Sequence, residues 1–495
     1  MDTQWFNDNE ARIPHDGVRT RFAPSPTGFM HVGNFRTALY TYLTAKRLGG
    51  KFLLRIEDTD QARFVEGATE VILRTLRDTG LHYDEGPDIG GPVGPYTQSE
   101  RKPLYRPYAE KLCETGHAYY CFCGHVEHDD RDHSELGEVS QVADSCRSLS
   151  LPDAKERITA GDEHVIRMKT PTEGTTTFSD LIFGDITVEN KTLDDMVLVK
   201  SDDLPTYNFA NVIDDHLMGI THVMRGSEYL ASAPKYDLLY RAFGWEIPVY
   251  VTVSPIMRDA QHKLSKRRGD PTYEDLLAEG YLPEAVLNYI ALLGWSPGGE
   301  QEVFSLAELE AAFDIKGISK SPSIFDAVKL RYFNAEYIRA LAPEAFAAVA
   351  EPYIRRAVKG DTDIAALAEL IQARCELLSE IPEKLDFIDA LPAYSTELYV
   401  HKKSKTNEEI SLNVLTEVRT MLAELAEWTR DGLVAVCEEL AARLEAKNAL
   451  VMYPLRIAVS GKTVTPGGAA ELCAVLGREE SLSRIDDGIR KLESR

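Results

Sequence analysis

Residues 18–43 constrain the fold of this chain most. An apolar and β-branched run at 18–22 leads into Ala23-Pro24-Ser25-Pro26-Thr27-Gly28, a turn of small residues. Phe35, Ala38, Leu39, Tyr42 and Leu43 then recur at helical spacing. A strand that turns tightly into a helix is the opening unit of a parallel α/β sheet. Backbone N–H groups and the positive helix end at such a turn face whatever lies beyond the strand, and phosphate suits them. A second segment, Lys263-Leu264-Ser265-Lys266-Arg267, gathers positive charge in a loop expected to move. Charge of that sign can meet the negative charge that develops on a departing pyrophosphate.

The remainder divides on the same terms. Residues 18–116 read as the first half of the α/β domain. Within them 52–56 is apolar enough for a buried strand, and Glu57, Asp58 and Asp60 follow at its end. Val71, Ile72, Leu76 and Thr79 give a helical face, and glycines and prolines over 86–95 mark a surface loop. Ligands of open α/β sheets lie outside the carboxyl ends of strands, so Glu57 and the turn after Phe22 share one crevice. Residues 117–195 break the rhythm and read as an insertion: Cys121-Phe122-Cys123 opens a polar stretch running to Cys146, and strand-like 165–168 and 186–188 follow. The α/β pattern resumes over 196–262, with strands at 196–199 and 222–225 and a helix burying Leu230, Ala233, Leu238, Leu239 and Ala242. Residues 263–335 hold the basic loop and a connecting region. Residues 336–495 read as helices, with spacing such as Leu433, Val436, Cys437, Leu440 and Leu444.

Composition sets the outer limits. A length of 495 residues calls for several domains, and 44% hydrophobic with 27% charged residues is ordinary for a water-soluble protein. The net charge of −24 argues against general nucleic-acid binding, because phosphate contacts need Lys and Arg. Basic clusters nevertheless stand at 263–268, at Arg355-Arg356 with Lys359, and at His401-Lys402-Lys403 with Lys405. No apolar run approaches the ~20 residues of a membrane span, and the N-terminus is polar, so neither a span nor a secretory signal is expected. Seven unevenly spaced cysteines give no disulfide framework, which points to a reducing cytoplasm.

Several ordered blocks carry a resemblance. They are Arg21-Phe22-Ala23-Pro24-Ser25-Pro26-Thr27-Gly28 with His31-Val32-Gly33, then Arg55-Ile56-Glu57-Asp58-Thr59-Asp60, then Gly94-Pro95-Tyr96-x-Gln98-Ser99-Glu100-Arg101. Leu204-Pro205-Thr206-Tyr207-x-x-Ala210-Asn211-Val212-x-Asp214-Asp215-His216, Arg225-Gly226-x-Glu228-Tyr229 and Lys263-Leu264-Ser265-Lys266-Arg267 follow. Pro454-Leu455-Arg456-x-Ala458-x-Ser460-Gly461 and Leu476-Gly477 stand near the end. Together these resemble bacterial glutamyl-tRNA synthetases, class I aminoacyl-tRNA synthetases, over about residues 18–490. The resemblance implies a Rossmann-like parallel-sheet α/β catalytic domain, an inserted acceptor-binding domain and an all-helical C-terminal anticodon-binding region. It also implies ATP-dependent ligation of L-glutamate to the 3′ end of its tRNA through glutamyl-adenylate, with ATP and Mg2+ as substrate and a monomeric enzyme.

Roles follow residue by residue. The resemblance assigns catalysis to His31, Lys263, Lys266 and Arg267, and ATP contacts to Pro24, Ser25, His31, Gly33, Asn34 and Lys266. Gly33 is expected to leave room for phosphate. Asn34 stands where the general class I pattern has a second histidine, so more charge work falls on Lys266 and the metal ion. Glutamate falls to Arg21, Ala23, Ser25, Glu57, Tyr207, Asn211 and Arg225. Arginine suits a carboxylate because its planar fork donates twice, and Glu57 suits the substrate ammonium. Tyr207 and Asn211, four apart, share one helix face. Cys121, Cys123 and Cys146 resemble the zinc site of some family members, but Ser148 holds the last ligand position and serine is a poor ligand. A fourth ligand from His125, His128 or His133 and a vestigial, metal-free site are both open.

Other readings fit less well. Glutaminyl-tRNA synthetases share the catalytic pattern but carry a β-barrel anticodon region, and the short tRNA-modifying relatives lack that part. A nucleotidyltransferase acting on a small molecule would not need 160 helical residues. A scaffold that merely binds tRNA would not need Arg21, His31, Glu57 and Lys266 together. The sequence does not decide whether glutamine isoacceptors of tRNA are charged as well.

Overall fold

The computed structural model describes residues 3–28, 30–60, 65–123, 145–264, 269–360 and 362–494. Helix α1 (Thr3–Glu10) precedes the expected strand–turn–helix, which forms as β1 (Arg19–Phe22) and α2 (Val32–Arg47). All five apolar positions that marked α2 in the sequence are buried. β2 (Lys51–Leu54), α3 (Ala68–Asp78) and α4 (Lys102–Glu114) complete the first α/β run. Then come β3 (Ala118–Cys121), α5 (Leu151–Thr159), β4 (Val165–Met168), β5 (Thr175–Asp180), β6 (Gly184–Glu189) and β7 (Val197–Val199). α6 (Tyr207–Leu217), β8 (His222–Gly226), α7 (Ala233–Phe243) and β9 (Val249–Val253) return to the α/β rhythm.

The main sheet has the order β2-β1-β8-β9-β5-β6. Its pairs are parallel from β2 through β5, and β5–β6 is an antiparallel hairpin at the edge. From β1 the chain crosses to β2 on one side and later returns to β8 on the other. Such a reversal opens a crevice at the carboxyl ends of the two central strands. Phe22 and Gly226 end the strands that border it.

The strand pairings cut across the insertion expected at 117–195. The β5–β6 hairpin joins the main sheet through Asp180 beside Tyr250. β7, expected to resume the main sheet, instead closes an antiparallel sheet β3-β4-β7. Apolar runs reveal strands but not their partners. β5 buries alternate residues on one face, and either sheet could have used that face.

β10 (Ile256–Met257), α8 (Tyr273–Ala278), α9 (Pro283–Ala291), α10 (Leu306–Ala312) and β11 (Ser323–Ile324) lead to α11 (Ala327–Ala340). The chain divides into two compact units, one of residues 1–276 and 286–326, the other of 277–285 and 327–495. The boundary expected at 335/336 therefore falls inside α11. The buried stripe Leu330, Phe333 and Ile338 runs through that point without a break, and this continuity keeps the helix whole.

The second unit continues with α12 (Pro343–Ala357), α13 (Ile364–Gln372), α14 (Ile381–Leu385), α15 (Glu408–Glu424), α16 (Arg430–Arg443), α17 (Ala449–Ser460), α18 (Ala469–Leu476) and α19 (Arg478–Glu493). Side-chain caps start several of them: Asp363 accepts from Ala365 N–H, Asn407 from Ile410 and Thr429 from Gly432. Gly461, at φ +67°, ends α17 in the left-handed conformation that glycine adopts without strain. One core joins Ile338, Phe346, Ile371, Leu415, Leu440, Ile457, Leu472 and Ile485. Leu433, Val436, Cys437 and Leu440 lie in it as their spacing predicts, whereas Leu444 is exposed. Arg484 is buried in this interior, where it donates to the carbonyls of Phe387, Val459 and Ile388 at 2.7–2.8 Å and to Glu480 at 2.6 Å.

Candidate active site

The turn after β1 is tied to the segment after β2. Arg55 N–H donates to the Phe22 carbonyl, and Glu57 N–H to the Pro24 carbonyl, both at 3.0 Å. Pro24 is buried, Ala23 half-buried and Ser25 exposed. His31 is the N-cap of α2, and its Nδ1 accepts the Gly33 N–H at 3.0 Å. A neutral imidazole that accepts at Nδ1 carries its proton on Nε2. Nε2 is buried without a hydrogen-bond partner. Burial lowers the pKa of the ring, against the pull of Asp270 and the Leu264 carbonyl. With Nδ1 spent on the cap, His31 keeps its N–H on Nε2, on the side of the Leu264 carbonyl. Gly33 spends its own N–H on this cap, and a Cβ there would meet His31 Nδ1 at 3.3 Å. Asn34 is exposed on the first turn of α2.

Deeper in the same unit lies a chain of buried charges. Arg21 on β1 donates through Nε to Asp215 at 2.9 Å and through Nη1 to the Met224 carbonyl at 3.3 Å. Arg55 donates to the same Asp215 oxygen at 2.8 Å and to Glu57 Oε1 at 2.8 Å. Burial would raise the Asp215 pKa, but Arg21 and Arg55 outweigh it and hold the group below the ordinary carboxylate value. Glu57 goes the other way: burial raises its pKa despite Arg55 and Arg21, and its Oε2 is buried without a partner.

Arg225, near the end of β8, sits among aromatic rings. Its guanidinium carbon lies 4.7 Å from the ring centre of Tyr236, 5.2 Å from Tyr250 and 5.7 Å from Tyr229. Burial works against its charge, yet Tyr236, Tyr250, Tyr207 and Asp215 outweigh that, and its pKa is raised. Nε and Nη1 of Arg225 are buried and unpartnered. Asn211 donates to the Tyr207 carbonyl at 2.8 Å, and its Oδ1 is likewise buried and unpartnered. Tyr207 stacks on Tyr229 at 5.6 Å, and both hydroxyls feel the charges of Glu57 and Arg225. One neighbourhood therefore holds a buried cation, a buried anion and an amide oxygen, each with an open hydrogen-bonding position. Buried polar groups are nearly always satisfied, so such a cluster is complementary to a small zwitterion with an extra carboxylate.

Lys263 is exposed, and its backbone bridges Met257. Lys266 and Arg267 lie outside the described residues, as do His125, His128 and His133. The sulfurs of Cys121, Cys123 and Cys146 lie within 4.8 Å of one another, with Cys123 and Cys146 at 3.4 Å. Ser148 donates its hydroxyl to the Ser145 carbonyl at 3.1 Å.

The sequence reading gave no role to Arg55, Asp214 or Asp215, although all three stood in the quoted blocks. Asp214 accepts from Arg101 at 2.6 Å and from Gln98 and Tyr105 at 2.9 Å. The available signal was two adjacent carboxylates in a helical stretch that, His216 aside, holds no other ionisable group but Tyr207. Buried carboxylates demand cations from elsewhere in the chain.

Residues 17–332 match the family model described as tRNA synthetases class I (E and Q), catalytic domain, and residues 345–489 match an anticodon binding domain. The glutamate–tRNA ligase of Clostridium botulinum strain Hall is 58% identical over 479 residues, spanning 96% of this chain and 99% of that protein. That of Clostridium kluyveri is 56% identical, over 96% of this chain and 98% of its own length. Among solved structures, a glutamate tRNA ligase from Elizabethkingia meningosepticum in complex with its amino acid superimposes with a TM-score of 0.86 at 33% identity, covering 96% and 100% of the two chains. The glutamate-tRNA synthetase of Elizabethkingia anophelis gives 0.84 at 33% identity, with the same coverage.

Proposed function

The chain belongs to the glutamate–tRNA ligases of class I, and from that premise we propose how its own residues carry the reaction. The enzyme joins L-glutamate to tRNA-Glu with ATP. The observation that carries the site assignment is the set of open, buried positions at Arg225, Glu57 and Asn211. Arg225 and Arg21 take the side-chain carboxylate, Glu57 Oε2 takes the ammonium, and Asn211 and Tyr207 line the wall. Ser25 and the Ala23 backbone border the reacting carboxylate. Its oxygen attacks the α-phosphorus of ATP, the bond from that phosphorus to the bridging oxygen breaks, and pyrophosphate leaves.

His31 donates from Nε2 to a phosphate oxygen. Lys266, with Lys263 and Arg267, meets charge that grows on the leaving group, so it acts more strongly on the transition state than on the substrate. Pro24 and Asn34 border the nucleotide. The terminal ribose hydroxyl of the tRNA then attacks the activated carbonyl and releases AMP. No protein nucleophile takes part; positioning and charge stabilisation do the work.

The three sulfurs suit a zinc ion, whose tetrahedral thiolates stand about 3.8 Å apart. Cys121, Cys123 and Cys146 would hold it, and it would cross-link the end of β3 to residues 145–148. Ser148, already bonded to Ser145, is an unsuitable fourth ligand. Metal analysis of protein purified without chelators should find about one zinc per chain; a metal-free preparation would mean a vestigial site.

The helical unit offers a groove of about 730 Å3 lined by Leu398, Val400, His401, Tyr453, Arg456 and Val464. His401 stacks on Tyr453 at 4.4 Å, and Arg456 Nε is buried and unpartnered. Exposed Lys402, Lys403 and Lys405 adjoin His401. Aromatic faces with a cationic rim suit unpaired bases, and we assign the anticodon loop here. Among the described residues no helix is long and apolar enough to cross a membrane.

Charging purified glutamate and glutamine tRNAs in separate reactions with labelled glutamate tests the reading. Charging of the glutamate tRNA is expected, and its absence would refute the proposal. Charging of the glutamine tRNA as well would identify a non-discriminating enzyme.

A further inference from the structure

We infer that Asp215 and Arg55 are positioning residues that lock Arg21 against Glu57 and so set the preference for a dicarboxylic amino acid. The inference rests on the glutamate pocket proposed above. Arg21, Asp215, Arg55 and Glu57 alternate in charge, and none is more than 5% exposed. One Asp215 oxygen bridges Arg21 at 2.9 Å and Arg55 at 2.8 Å. The other edge of Arg55 grips Glu57 Oε1 at 2.8 and 3.3 Å. The two ends of the chain are the groups that face substrate in the proposed reading. The two interior members are consumed by each other and by those ends.

The arrangement fixes a charge balance as well as a geometry. The four groups sum to zero. Asp214, 3.9 Å from Arg55, is already matched by Arg101 at 2.6 Å. Arg225 adds one positive charge that, among the described residues, no carboxylate contacts directly. A free amino acid with a carboxylate side chain carries a net −1 and cancels it. The amide analogue carries none and leaves a buried charge uncompensated, which is costly at low dielectric. Asp215→Asn leaves the pocket one charge more positive, which alone would favour glutamate; the loss expected below is geometric, because Arg21 and Arg55 would repel one another and Arg21 would lose the bond that orients its fork.

The test is ATP–pyrophosphate exchange with tRNA-Glu present, on Asp215→Asn, Asp215→Glu and Arg55→Lys, with Arg225→Lys as control. Asp215→Asn should raise the KM for glutamate about 20-fold or more and leave that for ATP within about twofold. The Ki of glutamine, measured as a competitor of glutamate, should move by less than about threefold, so the preference for glutamate falls. Asp215→Glu, which keeps the charge, should recover part of the loss. A purely structural role would instead weaken glutamate, glutamine and ATP together. That result, or a glutamate KM within about threefold of wild type in a folded Asp215→Asn protein, overturns the inference. If Asp215→Asn does not fold, Arg55→Lys carries the same test, because lysine keeps the charge but cannot bridge two carboxylates in the plane of a guanidinium. An unchanged glutamate KM in Arg225→Lys would sink the pocket reading itself. A raised KM there with none in the Asp215 and Arg55 variants sinks this inference alone.

Discussion

Arg225 and Arg484 are both buried guanidiniums, one in each unit, and they are held in opposite ways. Arg484 spends its donors on three backbone carbonyls and Glu480. Arg225 keeps Nε and Nη1 open among three tyrosine rings. The first arrangement gives each guanidinium nitrogen a partner and pins helix α19 to residues 387–388 and to α17. The second leaves a desolvated charge waiting for a partner, a cost that the fold bears and a bound carboxylate relieves. The lesson is that burial of charge alone does not mark a site. An open buried position alone does not either, because Arg36 Nε and Asp180 Oδ2 have one as much as Glu57 Oε2, Asn211 Oδ1, His31 Nε2 and Arg456 Nε do; the grouping of several such positions around Arg225 is what points to a ligand.

Predictions follow from extending or breaking that contrast. The largest effect is expected at the lysine that the proposed reaction assigns to the leaving group. Lys266→Ala should slow glutamyl-adenylate formation by about two to three orders of magnitude, read by single-turnover assay, with glutamate affinity nearly unchanged. A rate within about fivefold of wild type would remove this lysine from the mechanism.

Arg484→Met should cost about 3–5 kcal/mol of stability in urea unfolding, because three carbonyls lose their partner in the interior, while exposed Glu480 can turn to water. Its glutamate KM, measured well below the unfolding transition, should stay at the wild-type value. A stable Arg484→Met protein with a raised glutamate KM would break the contrast.

Arg456→Ala should raise the KM for tRNA-Glu about tenfold and reduce the dependence of that KM on salt. Unchanged values would mean that an open buried nitrogen in the helical unit does not report a nucleic-acid contact.

The smallest effect concerns pH. Folding raises the pKa of Glu57 above its ordinary value, so as pH falls this carboxylate takes up its proton earlier than an unperturbed one. Its protonated form cannot accept the substrate ammonium as a charged partner. The glutamate KM should therefore rise on the acid side, starting above the ordinary carboxylate range, and flatten in Glu57→Gln. Asp215, held below that range, should not contribute there.

Much of the architecture was legible because it rests on local pattern. The β1–α2 unit announced itself through a small-residue turn between periodic runs, and the helical tail through its apolar stripes. Partnership was not legible. The sheet that the β5–β6 hairpin would join, and the small sheet that took β7, depend on pairings between residues distant in sequence. The boundary expected at 335/336 lies within α11, whose buried stripe runs through that point and left no local break to read. In the site, the residues that match family positions could be named, but Asp215 and Arg55 could not be given a task until their shared oxygen was seen. The His31–Gly33 bond is local in sequence, yet the phosphate reading of that glycine hid it.

The most direct test of the account is the glutamate KM of Arg225→Lys in ATP–pyrophosphate exchange, taken together with its melting temperature. Lysine keeps the charge and fills similar space but cannot offer two parallel donors to a carboxylate. The account predicts a KM raised about 30-fold or more, corresponding to about 2–4 kcal/mol, with a melting temperature within a few degrees of wild type. A KM within about twofold of wild type would contradict it, because the open edge of Arg225 would then have no substrate to meet.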